Sequence, residues 1–163
     1  MNKKYIIIGI VLGVVIPVVA YTGAPLFFDV TTDEPLPEIT SIVTTTDGVT
    51  TSTVEAPQVL AMGSFIGVND GIHNAEGMAK VVKLADGKQL LRLEDFKATN
   101  GPDLYVYLAT DDTAQEYVSL GELKANIGNQ NYEIPDGTDL TKYNTALIWC
   151  KQFSVLFGSA EIS

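Results

Sequence analysis

Apolar and polar residues follow three different patterns along the chain. From Tyr5 to Phe28 every residue is uncharged, in the run YIIIGIVLGVVIPVVAYTGAPLFF. That run exceeds the roughly 20 apolar residues that cross a bilayer core and predicts a transmembrane helix, with Pro17 as a tolerated kink. From Asp29 to Gln58 the chain is rich in Thr, Pro and acid and has no aromatic residue, which predicts an extended, flexible stalk with room for one short strand near Ile39 to Thr45. From about Val59 onward, short apolar runs alternate with Gly, Asn, Asp and Pro. Strands are expected in AKVVKLA, QLLRLEDF, LYVYLAT, QNYEIP, TALIWCK and SVLFGSAEI.

Turn chemistry separates these runs. Asp86-Gly87 suits a tight hairpin, Asn100 to Asp103 a turn feeding a strand, and Pro135-Asp136-Gly137 another turn. In LYVYL the period of two sends Leu104, Val106 and Leu108 to one face and Tyr105 and Tyr107 to the other. One helical turn is expected near SLGELKANIGN, stopped by Gly128. The fold class is therefore all-β, an antiparallel β-sandwich over residues 59–163, preceded by a membrane anchor over 1–28 and a linker over 29–58.

Lys3 and Lys4 before the apolar run, and Asp29, Asp33 and Glu34 after it, orient the N-terminus to the cytoplasm and the domain to the outside. The competing expectation is a cleaved signal peptide ending at Ala20. Both export the domain. A net charge of -10 repels phosphate backbones and argues against a nucleic-acid partner.

The candidate chemistry centres on one cysteine, Cys150, and one histidine, His73. A single Cys leaves no disulfide framework, no zinc knuckle and no C-x-x-C-H site for covalent haem. One imidazole is too few for a blue-copper centre within one chain. A metal or a haem held in another way remains open as a cofactor. Cys150 ends a strand whose two faces are both apolar, a pattern of core packing. Its position before Lys151, whose charge would favour the thiolate, is the opposing argument for a redox residue. His73 sits in a Gly- and Asn-rich loop, where a solvated or backbone-bonded imidazole is the usual outcome. Trp149, Tyr105 and Tyr107, with Asn129, Gln130 and Asn131, are the candidates for binding a protein or glycan, although amides in such a run commonly staple backbone. The carboxylate clusters lack the spacing of an EF-hand and read as surface acidity. No hydrolytic constellation is present, so the domain is not expected to be an enzyme by itself.

The segments HNAEG, LRLEDFKATNGPDLYVYLA, LGELKANIGNQNYEIP and YNTALIWCKQFSVLFGSAEI, in that order from His73 to Ile162, resemble the DM-thirteen domain, a so-called electron-transfer domain. Gly101-Pro102-Asp103 followed by Trp149-Cys150-Lys151 and Phe153 carries most of that likeness. The resemblance implies a β-rich extracytoplasmic domain, found in animals beside DOMON and cytochrome-type modules and in microbes as small secreted or anchored proteins. It also implies a redox role for the cysteine of the W-C-K motif, here Cys150. The supporting candidates around it are His73, Asp103, Lys151 and Trp149. Two functions follow: a redox accessory working with a partner protein through Cys150, or a non-catalytic surface-binding module. A lone thiol passes electrons only through a sulfenate, an intermolecular disulfide or a bound cofactor, so the first requires a partner or a metal.

Overall fold

The computed structural model describes residues 3, 4, 13, 28–44 and 50–163. Its strands in chain order are β1 (Thr31–Asp33), β2 (Ile39–Thr44), β3 (Thr50–Glu55), β4 (Gln58–Ser64), β5 (Ile66–Gly67), β6 (Ala75–Lys83), β7 (Gln89–Ala98), β8 (Leu104–Ala109), β9 (Tyr117–Glu122), β10 (Ile127–Ile134), β11 (Thr145–Cys150) and β12 (Val155–Glu161). One five-stranded sheet has the order β1-β10-β7-β6-β4 and a second the order β5-β12-β11-β8-β9. Every pairing is antiparallel except that of β1 with β10. The expected sandwich is thus present.

Period-two alternation builds the core. Ala79 and Val81 of β6, Leu91 and Leu93 of β7 and Tyr132 and Ile134 of β10 point inward from the first sheet. They meet Val106 and Leu108 of β8 and Ala146, Ile148 and Cys150 of β11 from the second. Removing these side chains from water is the main favourable contribution to folding. The β6–β7 hairpin closes where Asp86-Gly87 was expected to turn: Gly87 has φ +90°, and the Leu84 amide donates to the Lys88 carbonyl over 2.9 Å.

Two expectations need correction. Residues 120–122, read as the start of a helical turn, belong to strand β9. Pairing of Tyr117 and Ser119 with Ala109 and Tyr107 of β8 overrides the weak local helical signal. The segment read as a flexible stalk is also different at both ends. Its first part, β1, adds a parallel edge strand to β10 through Thr31↔Ile127 and Asp33↔Asn129. Further on, β2 and β3 form a two-stranded antiparallel hairpin, of which the strand expected near Ile39 is one arm. The expected membrane helix lies outside the described residues; among those described, no helix is long and apolar enough to cross a membrane.

Candidate functional site

Strand directions bring one set of loops to one end of the sandwich: residues 68–74, the turn at 99–103, residues 123–126 and the turn at 151–154. Four of the candidate residues sit here. Cys150 is the last residue of β11, with Leu104 and Val155 as its neighbours across the sheet. It is a free thiol, 1% exposed, within the core cluster. Lys151 follows in solvent, and its backbone amide donates to the Asp103 carbonyl over 2.9 Å. Leu104 and Phe157 fill the space under this turn: a Cβ on Gly101 would stand 2.7 Å from the Leu104 side chain and 2.9 Å from the Phe157 ring. A larger residue at 101 would have to displace the tips of these two side chains.

His73 is placed by Asp70. The Asp70 carboxylate accepts from the backbone amides of Ile72 and His73 at 2.9 and 2.6 Å, and its other oxygen lies 2.7 Å from His73 Nδ1. The His73 backbone amide, then its ring, then the Ile72 amide hold the Asp70 carboxyl down at about 2. The imidazole packs edge-on against Phe157, ring centroids 4.7 Å apart. His73 thus packs on Phe157 while Cys150 is paired with Leu104 and Val155, so the two lie at one end of the sandwich with different neighbours. His73 and Asp70 form a two-residue pair, and among the described residues no group of three or more His, Cys, Asp and Glu side chains is arranged to hold a metal.

Trp149, Tyr105 and Tyr107 come together on the outer face of the second sheet. Trp149 is opposite Tyr105 and Leu156 in register. The Tyr105 and Tyr107 rings are 6.0 Å apart, and Tyr107 stacks on Tyr117 at 4.1 Å with 16° between the planes. Lys151 places its ammonium 4.8 Å from the Tyr105 ring centroid, and the Tyr105 hydroxyl donates to Glu122 Oε1 over 3.1 Å. Tyr107 itself is buried, and that burial, followed by the Tyr117 phenol, pushes its hydroxyl up to about 12. Tyr105 and Trp149 are half-buried and Tyr117 is exposed, so the patch reaches solvent. Tyr117 carries no local sequence signal, since its neighbour Tyr107 is reached only by pairing β8 with β9.

The amide run has an internal task. Asn129 Nδ2 donates to Asp33 over 2.7 Å while its Oδ1 accepts from the Asp95 amide. Asn131 Nδ2 donates to the Pro35 carbonyl, its Oδ1 accepts from Arg92, and its backbone amide donates to Glu34 at 2.8 Å. Glu34 also takes Lys124 on both oxygens, at 2.8 and 2.9 Å. Burial pushes the Glu34 carboxyl up, but Lys124 and the Asn131 amide outweigh it and leave it below the ordinary range. Gln130 is fully buried and exchanges two hydrogen bonds with the Ala125 backbone, at 3.1 and 2.8 Å, while the Tyr132 hydroxyl donates to its Oε1. Asn129, Asn131 and Lys124 staple residues 33–35 to the first sheet, Gln130 holds the Ala125 loop, and Leu36 continues onto the apolar cluster of Val82, Leu84 and Leu90. The staples use the amide groups that would otherwise face a ligand.

Among the described residues, two five-stranded sheets thus form a β-sandwich with a buried thiol, an aromatic outer face and a clamped N-terminal strap. The sequence profile of the family described as Electron transfer DM13 matches residues 65–162, and the chain belongs to that family. No curated protein and no solved structure shows a significant match to it.

Proposed function

We propose that the protein is an extracytoplasmic electron-transfer accessory, tethered by its N-terminal apolar run, that docks a redox-active protein on the aromatic outer face of its second sheet. The observation that carries this is the Tyr107–Tyr117 stack flanked by Tyr105 and Trp149. Tyr and Trp dominate the energetics of protein contacts because each covers a large area at small entropic loss. The family description supplies the electron-transfer context. Cys150, 1% exposed among apolar side chains, serves in this reading as a core residue.

A second reading keeps Cys150 as the redox group. It rests on the thiol being the last residue of β11, beneath the turn that the Lys151–Asp103 hydrogen bond holds closed. Opening that turn would bring the sulfur to solvent.

The two readings separate in membranes of cells that express the full chain, assayed for electron delivery to external ferricyanide against cells without it. Trp149→Ala and Tyr117→Ala are expected to lower the chain-dependent rate, and Cys150→Val to leave it unchanged. Loss of the rate in Cys150→Val, with both aromatic variants at the wild-type rate, would overturn the docking reading in favour of the thiol.

A further inference from the structure

The end of the sandwich that carries Cys150 and His73 also gathers exposed apolar side chains. Phe28 is 68% exposed, Val30 55%, Ile72 71% and Phe153 63%. Contacts around them bring them together. Asn100 Nδ2 donates to the Phe28 carbonyl, Ile72 and Asp29 line one depression together with Asn100, and Phe28 and Val30 line another together with Gly101 to Leu104. Phe153 belongs to the 151–154 turn that is bonded to Asp103. Four large apolar residues from three separate stretches of chain at one pole are more than scattered surface residues require.

Phe28 is also the last residue of the uncharged run that begins at Tyr5. Immediately after it the chain is fixed to the domain: Asn126 and Asn100 donate to Asp29 at 2.8 and 3.2 Å, and the Val30 amide donates to Asn126 at 2.6 Å. A residue of extended chain spans at most about 3.6 Å, so a domain clamped from Asp29 onward has no stalk between itself and the end of that run. Pole and apolar run meet at one residue.

We infer that this pole is a membrane seat: the domain rests on the outer bilayer surface with Ile72, Phe153, Phe28 and Val30 in the interfacial layer. The inference rests on the membrane tether proposed above and deepens it by fixing which end of the sandwich faces lipid. With a net charge of -10 the attraction comes from apolar burial at the interface and not from anionic headgroups, so zwitterionic lipid suffices. Seated this way, the 151–154 turn lies at the lipid surface. The aromatic face, running along the side of the sandwich, stays open to a protein in or on the same membrane.

The test uses the full chain reconstituted in phosphatidylcholine vesicles. Ile72→Cys is labelled under native conditions with an environment-sensitive maleimide fluorophore. Asp136→Cys, in the turn at the opposite pole, is labelled in parallel, and the wild-type chain serves as blank for Cys150. Brominated phosphatidylcholine is expected to quench most of the emission at position 72 and to leave position 136 unchanged. If the chain floats with the vesicles and position 72 is not quenched, the seat is wrong and the tether stands. Failure of the chain to float with the vesicles overturns both.

Discussion

The backbone amide of Lys151 donates to the carbonyl of Asp103 over 2.9 Å, which joins the Gly-Pro-Asp turn to the Trp-Cys-Lys strand end. Nearly fifty residues separate these motifs in sequence, yet in the fold they are one structural unit with Leu104 and Phe157 beneath it. Cys150, 1% exposed in the core cluster at the end of this unit, occupies a position that suits a small apolar side chain.

Gln130→Leu should destabilise the domain by about 3 kcal/mol. The apolar replacement fills similar space but leaves the Ala125 N–H and C=O buried without partners, each worth about 1–3 kcal/mol. Urea unfolding followed by Trp149 fluorescence measures this. A change within a few tenths of a kcal/mol would mean that the Ala125 groups find water instead.

Gly128→Ala should release the N-terminal strap. Gly128 has φ +105°, and a Cβ there would collide with the Thr32 carbonyl oxygen of β1. Hydrogen exchange is expected to accelerate at Thr32 and Glu34 while β7 and β11 keep their protection. Unchanged exchange at those amides would show that β1 tolerates the added methyl.

Acid should loosen the ion-paired faces first. Asp70 is held at about 2, and Glu34 and Glu94 lie below their ordinary values. For Glu94 the Lys80 ammonium is the principal cause. A carboxyl depressed in the folded state stabilises above its unfolded value and loses that contribution as pH falls through the folded one. The thermal midpoint should therefore decline from about pH 4.5 toward pH 2. Asp70→Asn should flatten the lowest part of that decline. A midpoint constant across this window would contradict the ion-pair account.

At the alkaline end the sign is reversed. Burial raises Tyr107 to about 12 and raises Tyr132 as well, so both stabilise the fold below about pH 10 and cease to do so as pH climbs through their folded values. Absorbance at the phenolate band should show some tyrosines of the native domain ionising near the ordinary value, with Tyr107 following near 12. Complete ionisation in one step near 10 would contradict burial of the stack.

The alternating runs from Ala79 to Ile162 made most of the sandwich legible, because period-two burial is a local property of sequence. LYVYL placed its tyrosines outward and its aliphatics inward as the structure has them. Strand β9 was not legible, since YVSLGE takes its conformation from β8 and not from its own residues. The strap was hidden for a similar reason. Asp33, Glu34 and Leu36 read as polar linker until their partners Asn129, Lys124 and Val82, all far along the chain, are in place. For the candidate residues, sequence could name Cys150, His73 and the aromatics, but only the packing shows that Cys150 is buried, that His73 rests on Phe157 and that Tyr117 completes the third group.

The most direct test is a thiol titration of the full chain with a chromogenic disulfide, native and unfolded, across pH. Only one sulfur can respond. The account predicts that Cys150 stays silent in the native protein and reacts fully once it unfolds, as a core residue should. Rapid native labelling, with an apparent pKa well below the free-thiol value of about 8.5, would contradict it and mark Cys150 as an accessible thiolate, the property the redox reading requires.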